Sequence, residues 1–355
     1  MDIPALHSTL RDRFAAGAED RPIFTSLNGD NTWLMSFPRP RDERGKTGKI
    51  FYHVVFEPWL AGPASMLSTW IIYIKLGAPA AISTVDQIET LITEIENAAA
   101  GRPNQSSEPP KPEGDKYTGG IDALLVGFHY SDHLHEETLR MFHKAIPFIG
   151  SAEVVNIVKG YNHFTTIKLI HNFPVSATSW QSPELHPGEP LPAWIRPIRL
   201  PTNRELNYCL AIVWTHRNSG GVETHEAIFQ TPHGTLIDAE PLQAFLDSEP
   251  RTKKLAIMNP LKEGYTAGQK LALGVKSGLE LYRKMGGAKY WIPTSDGQLI
   301  YQGLVMRLLN VNDVKRTLDW ALEEEAQAAT DETITTKLER PSLVEVGNGQ
   351  SCILE

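Results

Sequence analysis

The chain has 355 residues, of which 41% are hydrophobic and 21% charged, with a formal net charge of -8. This composition is typical of a folded protein with a sizeable core, and the negative balance argues against a general nucleic-acid binder. Only two cysteines are present, so a disulfide framework is excluded. No secretory signal is visible and no apolar run reaches the roughly 18 residues that a membrane span needs. The sequence therefore predicts a cytoplasmic protein with no membrane partner, and leaves its oligomeric state open.

The N-terminal third predicts strands first and then a helix. After a lead-in over residues 1–21, two strand-forming runs flank the turn Asn28-Gly29-Asp30-Asn31 and predict a hairpin. A polar loop over 38–49, a strand over 50–56 and a helix capped by Ser83 or Thr84 follow. Residues 101–120 are rich in Pro, Ser, Glu and Gly, which predicts a flexible insertion that serves as a solvated tether or as a lid.

The remainder alternates strands with long connections and late helices. Strands are predicted over residues 154–158, 164–170, 208–214, 226–229, 254–258 and 289–292. Residues 174–205 contain seven prolines and predict an irregular connection. Helices are predicted over 268–285 and 311–329, with a loose tail beyond about residue 330. We therefore expect a layered α/β domain over residues 22–312, followed by a C-terminal helix and tail over 313–355.

The segment with the clearest chemical signal runs from Gly127 to His135, with the sequence Gly-Phe-His-Tyr-Ser-Asp-His-Leu-His. It follows a short apolar run over 121–126 that predicts a buried strand, and it precedes a helical pattern over 136–142. Sheets with helices on their faces tend to hold ligands in such turns. Imidazole and carboxylate are ligands that zinc and similar divalent ions accept.

Five segments, taken in order, resemble the metallo-β-lactamase superfamily, in particular a divergent fungal-type branch with an incomplete metal motif. They are the turn and strand over 26–34, Phe56-Glu57-Pro58-Trp59-Leu60-Ala61-Gly62-Pro63, the histidine segment, Thr231-Pro232-His233-Gly234, and Tyr290-Trp291-Ile292-Pro293-Thr294-Ser295-Asp296. The resemblance covers roughly residues 22–310. It implies an αββα sandwich of two mixed β-sheets flanked by helices, with a metal site at one edge between the sheets.

Several ligand positions of that family carry other residues here. The family's His-x-His-x-Asp-His pattern aligns with Phe128, Tyr130, Asp132 and His133, and His129 falls one residue out of register. Ser295 and Asn259 stand where related chains have further ligands. The resemblance therefore implies a metal set of Asp132, His133 and His233, with His129 as a further candidate, that holds one zinc ion or none.

Each candidate also has a purely structural interpretation. Asp132 and His133 are either ligands or a hydrogen-bonded pair within their own loop. His129 is either a ligand or a core histidine, and His135 either a ligand or part of a solvated face. Tyr130 is a candidate catalytic hydroxyl and Asp296 a candidate catalytic acid, as is Asp132.

The residues proposed to bind substrate have structural alternatives as well. Trp59 lines a ligand pocket or belongs to the core, as large aromatic residues commonly do. Glu57 contacts substrate or bonds the turn before Pro58. Ser295 contacts substrate or fills space.

Two functional hypotheses remain from the sequence. The first is a hydrolase that acts on an ester, thioester or lactone of a small molecule through a reduced, at most mononuclear, metal site. The second is a metal-independent isomerase, cyclase or ligand-binding protein that uses Tyr130, His129 or Glu57 as acid and base groups. Metal content distinguishes the two hypotheses.

Overall fold

A computed structural model describes residues 10–14, 20–66, 70–102, 117–218, 220–328 and 339–355. The predicted hairpin begins the larger of its two central sheets. The strands of the first half are β1 Ile23–Ser26, β2 Trp33–Pro38, β3 Phe51–Phe56, β4 Ala64–Met66, β5 Ile72–Leu76, β6 Ala123–Val126, β7 Phe148–Gly150 and β8 Ile167–Leu169. Those of the second half are β9 Ile195–Leu200, β10 Cys209–Arg217, β11 Glu223–Gln230, β12 Lys253–Met258, β13 Glu263–Thr266, β14 Gln269–Ala272, β15 Tyr290–Ile292, β16 Leu299–Gln302, β17 Asn312–Val314 and β18 Ser351–Ile353. The helices are α1 Arg41–Thr47, α2 Val85–Ala99, α3 Glu136–Leu139, α4 Ala152–Tyr161, α5 Glu240–Asp247, α6 Gly274–Lys284, α7 Leu304–Leu308 and α8 Leu318–Ala328.

Two mixed sheets form the centre of the fold. The first has the order β18-β1-β2-β3-β6-β7-β8, and the second has the order β15-β12-β11-β10-β9. In the first sheet β3, β6, β7 and β8 are parallel, whereas in the second only β11, β12 and β15 are. Two further three-stranded sheets, β14-β13-β17 and β16-β5-β4, lie outside this centre.

In each central sheet, alternate side chains face the other sheet and the intervening side chains face a layer of helices. On β2, Trp33 and Met35 belong to one buried cluster with Ile212 of the second sheet, whereas Leu34 belongs to another with Ile88 of α2. This period of two is what a strand buried on both faces requires.

The outer face of the second sheet is covered in the same way. Ala211 and Val213 of β10 lie in a buried cluster with Phe245 of α5 and Leu281 of α6. The αββα sandwich expected from the sequence is confirmed.

The structure confirms the hairpin of β1 and β2 and the helix α2 that the sequence predicts. β1 and β2 pair antiparallel around the turn over 28–31. Helix α2 begins after Thr84, whose side chain accepts a hydrogen bond from the Gln87 N–H in a capping box. No helix in the part of the chain that the structure describes is long and apolar enough to span a lipid bilayer.

Three sequence-based assignments of element type are corrected. Residues 154–158 lie in helix α4, where Ser151 caps the N-terminus and Asn162 ends the helix in the left-handed conformation. The predicted loop over 38–49 contains α1, which ends at the left-handed Gly48. The irregular connection contains strand β9, and its Pro197 is tolerated because β9 is an edge strand.

Both late helices are shorter than predicted. The helix expected over 268–285 begins only at α6, because the preceding segment forms strand β14 against β13. The helix expected over 311–329 is preceded by strand β17, which pairs with β13, and α8 begins at Leu318.

The ends of the chain also differ from expectation where they are described. Leu10 and Phe14 of the lead-in are buried, and the Phe14 ring lies 6.1 Å from that of Phe51. The tail is not loose beyond residue 339, because β18 pairs with β1 and Leu354 is buried between the sheets. Most of the predicted insertion over 101–120, namely 103–116, lies outside the described residues.

Candidate metal centre

The site lies where the parallel strands of both sheets end. Glu57 follows β3, the histidine segment follows β6, His233 follows β11 and Ser295 follows β15. The Phe128 ring joins the two sides, with its centroid 5.5 Å from that of His233. The carboxyl ends of neighbouring parallel strands are a common location for ligands.

Asp132, His133 and His233 converge at this edge. One ligand atom from each lies within 4.8 Å of the other two, and the two imidazole centroids are 5.0 Å apart. Among the described residues, this group has the ligand types and spacing for a metal ion. The sequence identified all three members.

His133 is held from behind by Glu57. Its Nδ1 lies 2.6 Å from Oε2 of Glu57, and its Nε2 lies 3.6 Å from Oδ2 of Asp132. A carboxylate only accepts hydrogen bonds, so Nδ1 carries the proton and Nε2 is directed toward the cluster. Burial alone would lower the pKa of His133, but the charges of Glu57 and Asp132 raise it to about 9.

Glu57 itself is constrained by the turn after β3. It is fully buried with a φ of 44°, and its Oε1 accepts a hydrogen bond of 3.2 Å from the N–H of Gly127. A Cβ at position 127 would lie 2.9 Å from the Tyr208 hydroxyl, so only glycine allows this approach. The structure thus places Glu57 behind His133, with its carboxylate directed at the imidazole rather than at a substrate.

His233 is fixed by its backbone. Its carbonyl accepts hydrogen bonds from the Leu273 N–H and from Nδ2 of Asn207, at 2.8 and 2.9 Å. Its buried Nδ1 has no hydrogen-bond partner among the described residues. Burial, the charge of His133 and the charge of Lys262 hold the pKa of His233 well below its ordinary value. A neutral imidazole is suited to metal ligation.

The donor set fits a single ion of the zinc type. Ligand atoms around four-coordinate zinc lie about 3.4 Å apart, so side-chain movements of about 1 Å would close the three donors on one ion. Glu57 then supplies the carboxylate that commonly orients a ligating histidine. Binding would displace the second proton of His133, because a ligating imidazole is neutral.

The other histidines of the segment are turned away from the cluster. His129 lies on the cavity, but its Nδ1 is directed toward Glu205 at 3.7 Å. His135 caps α3 through Thr138, and its Nε2 lies 3.2 Å from the carbonyl of Pro63. Neither joins the three converging residues.

Tyr130 and Ser295 both line the cavity above the cluster. Tyr130 is 39% exposed at the rim, and burial with the charges of Glu205 and Asp132 raises its pKa. Ser295 has a φ of 56°, and its buried Oγ has no hydrogen-bond partner among the described residues. Both hydroxyls are therefore in place to meet a ligand.

Asp296 and Trp59 are placed elsewhere. The Asp296 carboxylate accepts hydrogen bonds from the N–H groups of Leu261 and Lys262, and it lines a neighbouring cavity of about 280 Å³. Burial raises the pKa of Asp296 to about 6, although those N–H groups oppose the shift. Trp59 is fully buried and donates to the carbonyl of Gly62, so it belongs to the core rather than to the cavity wall.

Sequence reasoning missed several polar residues that line the cavity, among them Asp30, Lys262 and Tyr301. Asp30 stands in the hairpin turn, where it accepts a hydrogen bond from the Gly297 N–H, and burial raises its pKa against the opposing charge of Lys262. The sequence signal that could have identified Asp30 is its position in the predicted hairpin turn. Lys262 and Tyr301 follow no motif, since the small outer sheets bring them to the site.

A second chain of polar residues has the order of a hydrolytic triad but no access. Ser36 Oγ lies 2.8 Å from Nδ1 of His53, whose Nε2 lies 3.0 Å from Oε1 of Glu96. Ser36 and His53 are fully buried and line no described cavity. This chain therefore satisfies buried polar groups and is no reaction site.

The chain is similar to several solved structures. Among them are a possible metal-dependent hydrolase from Veillonella parvula (TM-score 0.46, 11% identity, 94% of this chain and 100% of that chain), an isothiocyanate hydrolase from Delia radicum gut bacteria (0.48, 12%, 94% and 99%) and a long form RNase Z from yeast (0.48, 12%, 96% and 42%). All three TM-scores are below 0.5, so the assignment of the sandwich rests on the layers of the chain itself. No family model and no curated protein matches the sequence.

Proposed function

We propose that this protein is a hydrolase that cleaves an ester, thioester or lactone bond of a small molecule with the help of one divalent ion, zinc in the first instance. Asp132, His133 and His233 would hold the ion. The observation that carries the proposal is their convergence beside a cavity, with Glu57 fixing the orientation of His133. A bound zinc ion acts as a Lewis acid and activates water near neutral pH.

A single ion is proposed because Asp132, His133 and His233 form the one converging group of candidate ligands among the described residues. The amide of Asn259 donates to the carbonyls of Pro260 and Gly274 and accepts from Thr231. His135 is occupied in capping α3. A second ion would need about three ligands of its own, and the described residues around the cavity do not offer them.

The protein's own groups supply the remaining chemistry. Tyr130 stays protonated at neutral pH because its pKa is raised, so its hydroxyl can donate a hydrogen bond to a leaving oxygen. Asp132 is 18% exposed on its side chain and lies at the cavity floor, where its carboxylate can accept a proton. Asp296 is assigned no proton transfer, since its carboxylate is bonded to backbone amides.

The metal-independent alternative has fewer candidate acid and base groups. Glu57 lies behind His133 and lines no described cavity, so Tyr130 and His129 are its remaining acid and base candidates. The same experiment separates the two functions.

The test is metal analysis of full-length protein purified without chelator, together with hydrolysis of a panel of nitrophenyl esters, thioesters and lactones. We expect about one equivalent of zinc, manganese or iron, in keeping with one three-ligand site, and loss of activity on chelation. His233→Ala should lose the ion, whereas the matched control His129→Ala should keep it. Metal-free protein with full activity would overturn the proposal.

A further inference from the structure

The cavity beside Asp132, His133 and His233 is lined mainly by apolar side chains, together with several polar ones. Its volume is about 600 Å³, which suits a small organic molecule. One wall comes from the sheet β16-β5-β4 through Ile72, Ile74 and Leu299. The polar groups of the reaction site are gathered at the floor, so a ligand that fills this space must itself have a polar end and an apolar body.

A second wall is equally apolar and continues to the surface. Val305 and Met306 of α7 line the cavity, as does Leu309, which is 38% exposed. On the same short helix Leu304 and Leu308 are 53% and 74% exposed. Val305, Met306 and Leu309 therefore form an apolar wall of the cavity, and this wall reaches the surface at Leu309.

The charges on the cavity do not favour an anionic ligand. Asp313 is paired with Lys262 at 3.2 Å and also accepts a hydrogen bond from the Tyr301 hydroxyl. With Asp30 and Asp132, three carboxylates line the cavity, against one lysine, Lys262, and the imidazole of His133, which contacts Glu57 and Asp132. Burying an unpaired anion here would be costly, so the body of the ligand is neutral.

We propose that the substrate is a neutral amphiphile, with an aliphatic or aromatic body held by the walls from β5, β16 and α7. The assignment of its hydrolysable group to the floor rests on the proposed function. Occupation of the walls does not, because binding of the body requires no reaction.

The first test measures binding of the N-alkyl acetamides from butyl to decyl to full-length, metal-free protein by calorimetry. These neutral probes are not esters, so binding is observed without turnover. Affinity should rise about 3- to 4-fold per methylene until the cavity is filled. Octyl phosphate should bind more weakly than N-octyl acetamide. An affinity independent of chain length, or tighter binding of the phosphate, would overturn the proposal.

Two variants test the location of the body. Val305→Asp should lower the affinity for N-octyl acetamide at least 10-fold, whereas Val222→Asp, at an exposed apolar position in the hairpin between β10 and β11, should leave it unchanged. Leu309→Ser replaces a residue of the same wall that is 38% exposed, so the substitution buries no new polar group in the core. It should weaken the decyl probe while leaving the butyl probe unaffected. Equal binding by wild type and both cavity variants would place the body elsewhere.

The metal analysis and the probe-binding measurement can each contradict one proposal without contradicting the other. Chain-length-dependent binding by a protein that holds no metal would contradict the proposed hydrolase and retain the amphiphile. Stoichiometric metal with no chain-length dependence would do the reverse.

Discussion

Glu57 combines backbone strain with a contact to a residue of the candidate metal centre. A non-glycine residue at positive φ costs of the order of 1 kcal/mol or more and persists where its surroundings hold it in place. Here the Gly127 N–H and the His133 imidazole hold it. The strained residue is therefore a positioning residue, because it fixes the orientation of the His133 imidazole.

Glu57→Gln should weaken zinc binding by about 10-fold, because a neutral amide accepts the Nδ1–H of His133 less strongly and leaves the imidazole a poorer ligand. Competition with a chromogenic chelator measures the affinity. The control Glu205→Gln alters a carboxylate that faces His129 at the rim. This substitution should not change the affinity for zinc. An unchanged affinity in Glu57→Gln would mean that the carboxylate serves folding alone.

At this scale the sequence identifies the candidate ligands better than it identifies their surroundings. Asp132, His133 and His233 stand in segments that carry the family resemblance, which implied this set, and the structure brings the three together. His129 was a reasonable fourth candidate by type, but adjacent residues of a turn point in different directions, and it faces Glu205. Lys262 reaches the site by tertiary folding alone, which no local pattern shows.

Among the elements, strand β18 carries an unexpected part of the packing. It extends the first sheet beyond β1, and Leu354 immediately after it is 1% exposed between the two sheets. The segment over 339–355 thus covers what would otherwise be an open edge of β1.

Leu354→Ala should reduce the free energy of unfolding by about 2–4 kcal/mol, the usual cost of truncating a fully buried leucine. Urea denaturation followed by tryptophan fluorescence measures the change. Val222→Ala, at a position 62% exposed, is the control and should shift it by less than about 0.5 kcal/mol. A loss as small as that of the control would show that this segment is docked only weakly.

Element types were predictable where caps and periodicity agree. The capping box at Thr84 marks α2 directly. Val154, Val155 and Val158 favour a strand by side-chain type, yet their spacing is helical, and packing of α4 against the first sheet outweighs β propensity. The pairing of β13 with β17 spans a long sequence separation, so no local pattern predicts it.

On the scale of the whole molecule, the site bridges two layers that the chain must bring together. His133 belongs to a loop of the first sheet and His233 to a loop of the second. An ion that binds both would link the sheets only in the folded state, so it would stabilise that state by mass action.

Zinc at about 100 times its dissociation constant should therefore raise the melting temperature of metal-free protein by about 4 °C. Differential scanning fluorimetry measures the shift. Magnesium, which prefers oxygen ligands, should produce none, and His233→Ala should not respond to zinc. A rise of the same size in that variant would indicate that zinc binds at another site.

The floor and the walls of the cavity have different origins. Strand ends of the buried sandwich supply the floor, whereas segments within 72–76, 263–272 and 299–314 supply most of the walls from the small outer sheets and α7. The residues of these peripheral segments belong to none of the buried clusters that hold the two central sheets together. A substitution in the walls can therefore change which molecules the cavity accepts while Asp132, His133 and His233 keep their arrangement.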